Sequence, residues 1–322
     1  MHSLDRSPAL FSPLAQRVAR DLAWLVKAPD LITLKEYAGR PTLDEMGLAG
    51  EAQDGLDWLD PACQALARRR VTRMGHYHEA LWHLLLDHAP NTRLLAHNVA
   101  IRERRQTLGE LDMLYRTRTD PAPVHLEVAI KFYLGLAEGP DHPASPNRWI
   151  GTGGLDSLAR KCAHLRAHQL PLSATPLARA TLRHWLAPRD CPYETSVLTQ
   201  RLAMPGVLFY PFHAALPAPT GVTDGHYRGQ WCYLRDWRRL LEEAGEVSIA
   251  WLRRPFWMAP PLEAAFEAPG ALWPALAACI ERFGPQQVLL KGQGEKEEAG
   301  RRVILVPDEW PREVPLPIGS GE

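Results

Sequence analysis

Asp112, Glu127 and Lys131 are the side chains whose types and spacing could do chemistry in this chain. Asp112 closes the run Gly109-Glu110-Leu111-Asp112. The other two lie in His125-Leu126-Glu127-Val128-Ala129-Ile130-Lys131-Phe132-Tyr133. Two carboxylates and a lysine on neighbouring strands are the equipment for hydrolysing a phosphodiester with magnesium. Hard oxygen ligands hold the cation, and the ammonium steadies charge that develops on the phosphate. The bland alternative is a solvated sheet face, on which Glu127 and Lys131 form an exposed ion pair worth under about 1 kcal/mol.

Either reading needs two paired strands to position the three residues. Across 124–134 the even positions are Val124, Leu126, Val128, Ile130, Phe132 and Leu134, and the odd ones are His125, Glu127, Ala129, Lys131 and Tyr133. This period-2 alternation predicts a strand with one buried face and one polar face. The upstream run 106–116 puts Glu110 and Asp112 on one face, where Glu110 reads as a strand-edge acid. Between the runs, Asp120-Pro121 and Pro123 suit a turn. A hairpin follows, and the register that buries both apolar sets can bring Asp112 near Glu127.

The wider chain sets bounds on what such a hairpin belongs to. Its 322 residues, 46% of them hydrophobic, suffice for one large domain or two small ones. Zero formal net charge weighs against a protein that coats nucleic acid, but not against a local basic groove. Between 148 and 189 seven basic residues (Arg148, Arg160, Lys161, Arg166, Arg179, Arg183, Arg189) face the single acid Asp156. Cys63, Cys162, Cys191, Cys232 and Cys279 are scattered and odd in number, without a CxxC. They suggest neither a disulfide framework nor a zinc ribbon, and reduced thiols in a cytoplasm are expected. No signal-peptide pattern and no run of roughly 20 apolar residues occurs, so a cytoplasmic protein that does not enter membranes is expected.

Along the chain, the spacing of Leu14, Val18, Leu22 and Leu25 predicts a helix over 8–27. Glycines and prolines break 28–60 into loops and short helices. Helices are predicted over 61–70 and 72–88, the second ended by Pro90, then strands over 93–102, 106–116 and 124–134. The segment 135–150 reads as a loop. Leu155, Leu158, Cys162 and Leu165 predict a helix over 154–168 packed on a sheet, and Gly206-Val207-Leu208-Phe209-Tyr210 reads as a further strand. The last third is rich in tryptophan and proline. There a hairpin is predicted between 288–291 and 302–306 with a charged tip, followed by a frayed end from Pro311. The boundaries implied are an N-terminal helical extension over 1–70, a core over 71–213, and a C-terminal α+β region over 214–322 packed on the core or separate from it.

Helix, three strands, helix, strand is the αβββαβ order of one large nuclease class. Over about 72–212 the chain resembles the PD-(D/E)XK nuclease-like superfamily. More closely, it is similar to a bacterial family defined as a domain of unknown function and placed within that superfamily. The strings that carry the closer likeness are Thr107-Leu-Gly-Glu-Leu-Asp112, Leu126-Glu-Val-Ala-Ile-Lys-Phe-Tyr-Leu134, His168-Gln-Leu-Pro-Leu172 and Val306-Pro-Asp-Glu-Trp-Pro311. The resemblance implies an α/β (α+β) fold with a restriction-endonuclease-like core and a Mg2+- or Mn2+-dependent hydrolase acting on nucleic acid. It implies Asp112 and Glu127 as metal ligands, helped by the carbonyl after Glu127, with Glu79 on the preceding helix as a direct or water-mediated third. Lys131 would orient or activate the water. One departure stands out: the usual pattern puts the lysine two residues after the acid, where this chain has Ala129. Lys131 is about 7 Å further along the same face. That displacement, with the zero net charge, supports the alternative of a catalytically degenerate fold that binds nucleic acid or a protein partner.

Other signals are weaker. Arg160, Lys161, His164 and His168 line one predicted helix and could face a phosphate backbone; an ordinary solvated basic face is the competing reading. Gln169 follows them with no geometric warrant for a role. His76, His78 and His83 share a helix but form no HExxH. Gly151-Thr152-Gly153-Gly154 lacks the GK[ST] of a phosphate loop, and no GxSxG elbow occurs. The tryptophans read as core rather than as a base-stacking platform.

Overall fold

A computed structural model describes residues 13–49, 60–69, 71–120, 122–186, 198–292 and 300–317. Helix α1 (Pro13–Lys27) buries Val18, Leu22 and Leu25 on one stripe. The first five residues of the predicted 8–27 helix lie outside the described residues. A short strand β1 (Ala38–Gly39) precedes α2 (Leu43–Met46), which carries a capping box between Thr42 and Glu45 and ends on Gly47 at φ 75°. Helices α3 (Asp60–Ala67) and α4 (Met74–His88) follow. Then come β2 (Thr92–Glu103), β3 (Gln106–Thr117) and β4 (Val124–Val128), the predicted hairpins.

Two expectations about 124–134 are corrected. The run is not one strand: it breaks at Ala129-Ile130 into β4 and β5 (Lys131–Gly135), which belong to different sheets. The physical reason lies in the neighbouring chain. There β7 (Thr199–Ala203) and β8 (Gly206–Pro211) are separated by Met204-Pro205, and both strands bend together. Ala129 N donates to Ala203 O at 2.9 Å and Lys131 N to Pro205 O at 3.2 Å, so the ladder continues across the bend. Nor is the odd-numbered face solvated. His125, Glu127 and Tyr133 are wholly buried because helices from the crossover lie over them.

That crossover starts with β6 (Trp149–Gly151), inside the stretch expected to be loop, and continues with α5 (Leu158–His164). The helix starts at the Ser157 cap rather than at 154. Leu165–Gln169 is a single π turn leading directly into α6 (Leu170–Leu172), and α7 (Pro176–Trp185) completes the crossover. Arg189 and Cys191 lie outside the described residues. The strand beside β4 is β7, which the sequence reading did not anticipate; the predicted strand at 206–210 is β8, in the other sheet. The C-terminal part adds β9 (Tyr227–Tyr233), α8 (Trp237–Ala244), β10 (Val247–Leu252) and α9 (Pro269–Phe283). It ends with the predicted hairpin β11 (Gln286–Gly292) and β12 (Arg301–Val306), whose tip at 293–299 lies outside the described residues. No helix among the described residues is long and apolar enough to cross a membrane.

The fold is thus mixed α/β, with sheets ordered β1-β7-β4-β3-β2 and β10-β11-β12-β9-β8-β5-β6. The expected αβββαβ order is present as α4, β2, β3, β4, the α5–α7 crossover and β7. One apolar cluster joins Leu22 and Leu25 of α1, Trp82 and Leu85 of α4, Met113 and Leu126 of the smaller sheet, and Phe209, Trp231 and Ile304 of the larger one. Among the described tryptophans, Trp231 and Trp257 are fully buried core side chains.

Candidate active site

The β3–β4 pairing ends at Met113 opposite Leu126, so the next position sets Asp112 against Glu127 where the ladder has stopped. On the other side of β3, Asn98 faces Asp112 in the left-handed region (φ 51°) and interrupts the β2–β3 ladder at that point. Asp112 fills the opened space: its Oδ2 accepts from Val128 N at 3.0 Å, taking the place of a strand carbonyl. The two carboxyl groups lie close enough to share a proton. Burial pushes Asp112 up to about 6, with the Val128 N–H pulling the other way and Glu79 adding to the rise. Burial, then the Asp112 charge, holds Glu127 well above the usual carboxylate range, while Lys161 and Gln169 oppose that rise.

Glu127 Oε1 accepts from Gln169 Nε2, and Gln169 Oε1 accepts from Lys161 Nζ at 2.6 Å. Glu127 Oε2 is buried without a hydrogen-bond partner. His125 Nε2 stands 3.8 Å from that oxygen. Burial lowers His125 to about 4, so at neutral pH the imidazole is uncharged and forms no ion pair. An orphaned buried carboxylate oxygen beside a second carboxyl group is costly unless a cation or proton sits between them. This donor set fits a hard divalent cation. Magnesium in particular binds through one or two carboxylates and keeps waters or substrate phosphates for its remaining positions.

The other expected site residues lie apart from this pair. Lys131 Nζ donates to Asp156 Oδ2 at 2.7 Å, and Tyr133 OH donates to the same oxygen at 3.1 Å. The ammonium beside the carboxylates therefore belongs to Lys161. Its own pKa is lowered by burial, with Glu127 and Asp112 favouring the charged form. Glu79 is within electrostatic reach of Asp112 but lines a separate cleft of about 360 Å³ with Arg69, Arg73, His76, His83 and His97. No group of three or more His, Cys, Asp or Glu that could hold a metal occurs among the described residues. His78 is buried and accepts from Trp82 Nε1 at 3.1 Å. Glu110 accepts from Asn98 Nδ2 at 2.7 Å.

Arg160, His164 and His168 are exposed, with the two imidazoles 5.1 Å apart, whereas Lys161 turns inward. The π turn explains the difference. In an uninterrupted α-helix, seven residues make nearly two full turns, so His168 would share a face with Lys161. The extra residue of the π turn brings Gln169 there instead. Asp156, Lys161 and Gln169 are thus the site neighbours that helical periodicity misassigned or left without a role. A polar residue flanked by buried Leu165 and Leu170 was the only available signal for Gln169.

A family model described as Domain of unknown function (DUF1853) matches residues 20–305. The chain belongs to that family. The match contains both sheets almost entirely and every residue of the Asp112–Glu127–Lys161–Gln169 constellation. No curated protein and no solved structure matches this DUF1853 chain.

Proposed function

We propose that this protein is a divalent-metal-dependent phosphodiesterase of the PD-(D/E)XK nuclease-like kind, acting on nucleic acid. The observation that carries the reading is the pair of buried carboxyl groups at the end of the β3–β4 ladder, one with an unsatisfied oxygen, beside a lysine held by Gln169. Asp112 and Glu127 would hold Mg2+ or Mn2+, which when bound supplies neutralising charge and a more acidic water. Val128 N–H holds Asp112 in place, and Gln169 orients Glu127 while fixing the Lys161 ammonium beside it. Lys161 keeps its proton next to two carboxylates and stabilises negative charge that develops on a phosphate there. Lys131, bound to Asp156, positions the crossover rather than the reacting group.

The test is calorimetric titration of Mg2+ and Mn2+ into the wild type and a folded Asp112→Ala/Glu127→Ala variant, followed by cleavage assays on DNA and RNA. Metal binding and cleavage that both vanish in the variant support the reading. Absence of both in the wild type removes it. A second reading has its own observation: Glu127 has no solvent exposure and lies under Gln169. A degenerate fold that binds nucleic acid or a protein partner without turnover accommodates that closure, and it predicts nucleic-acid binding in EDTA with no cleavage in Mg2+.

A further inference from the structure

A second cleft, of about 480 Å³, opens between α1, the start of β9 and β12. Its volume lies within the roughly 300–1,000 Å³ of small-molecule pockets. Four cationic side chains line it, Arg20, Lys27, Arg228 and Arg302, and no acidic side chain among the described residues does. Two aromatic rings, Trp24 and Tyr227, share the lining with their centroids 5.8 Å apart. The chain as a whole is neutral, so four cations without an acid concentrate one sign of charge in a concave, low-dielectric place.

Arg302 is the costliest of the four. It is buried, and its guanidinium is held by the carbonyls of Trp257 (3.0 Å) and Met258 rather than by a carboxylate. The nearest buried acid, Asp21, is engaged by Arg17, Tyr77 and Ala259 N. A buried cation satisfied only by neutral oxygens keeps its full charge, and an anionic ligand in the cleft would compensate it. Lys27 and Arg228 are exposed at the rim and make no ion pair among the described residues. Arg228 instead stacks over Tyr210, with its guanidinium carbon 3.6 Å from the ring centroid.

From this lining we infer that the α1–β9–β12 cleft binds a nucleoside phosphate, with the phosphates against Lys27, Arg228 and Arg302 and the base against Trp24 and Tyr227. Guanidinium and ammonium groups recognise phosphate oxygens through charge-assisted hydrogen bonds, and the aromatic faces accept a base with little demand for its identity. None of these residues belongs to the Asp112–Glu127 constellation, so the site stands whether or not that pair binds metal.

Calorimetry of the full chain in EDTA tests this, with ADP, pyrophosphate and adenosine as separate probes. ADP is expected to bind at one equivalent, and pyrophosphate about tenfold more weakly, for want of about 1.4 kcal/mol of stacking. Adenosine is expected to bind more weakly still. Lys27→Ala/Arg228→Ala should weaken ADP by about tenfold or more with an unchanged melting temperature, since both side chains are exposed. The single charge reversal Arg228→Glu, in a second protein, should act in the same direction. Asp112→Ala/Glu127→Ala should leave ADP affinity as it was. Absence of ADP binding overturns the proposal, as does affinity indifferent to the two rim cations. Pyrophosphate binding as tightly as ADP, or loss of ADP binding in the Asp112/Glu127 variant, overturns it equally. A short 5′-phosphorylated oligonucleotide that displaces ADP would identify a strand end, rather than a free nucleotide, as the source of the same chemistry.

Discussion

Lys161, not Lys131, is the cation held against the carboxylate pair, and the two lysines separate the roles that one position was expected to fill. Under the proposed phosphodiesterase, Lys161→Met should lower single-turnover cleavage by about 100-fold, the order of losing one positioned proton donor or charge stabiliser. Lys131→Met should change it by less than about tenfold, because its ammonium neutralises Asp156. Equal losses would refute the assignment of the charge to Lys161. A second residue has a consequence for pH. His78 accepts a hydrogen bond from Trp82, and burial, followed by the Arg40 charge, lowers its pKa to about 3. The folded chain therefore keeps it neutral where the unfolded chain protonates it. Between about 6.5 and 3 the unfolded state binds more protons, so stability falls as the pH falls through that window. His78→Gln keeps an acceptor for Trp82 and should flatten the decline, as read from urea midpoints across pH 3 to 7.

At the scale of elements, the bend shared by β4–β5 and β7–β8 is what distributes one hairpin between two sheets. Gly206 sits at that bend, opposite Lys131, where a Cβ would lie 1.9 Å from the Lys131 carbonyl oxygen. Backbone must move to admit it. Gly206→Ala is expected to cost about 1–3 kcal/mol, the range of overpacked sites. Gly39→Ala in β1, with nothing within 4 Å, should be nearly neutral. Urea unfolding of the two variants checks the contrast. The helix that covers the site shows the same dependence on a local irregularity, since the π turn decides which polar side chain reaches Glu127.

For the whole molecule, Asp21 ties the N-terminal helix to the C-terminal region. Its wholly buried carboxylate accepts from Arg17 (3.2 Å), Tyr77 (3.0 Å) and Ala259 N (2.8 Å), and Arg17 reaches on to the carbonyls of Phe256 (2.6 Å) and Ala259 (2.9 Å). Asp21→Ala leaves Arg17 without its buried partner and should destabilise by about 3–5 kcal/mol. Because one apolar cluster spans α1, both sheets and Trp310, the loss should appear as a lower midpoint of a single thermal transition. Two resolved transitions in calorimetry would show that α1 and the sheets unfold separately.

Period-2 alternation in 124–134 and the Asp120-Pro121 turn were enough to place Asp112 opposite Glu127, because strand register follows from local pattern and turn chemistry. Helical spacing likewise placed α4 and α5, and family strings over most of the chain were readable without coordinates. The burial of His125 and Glu127 was not readable, since alternation reports which side chains are polar and not whether a distant helix covers them. The same holds for Lys161 and Gln169, which a π turn aligns, for the exchange of Lys131 to Asp156, and for the cationic cleft assembled from α1, β9 and β12. Each depends on contacts between segments far apart in the chain, and those follow from packing of the whole fold rather than from any local period.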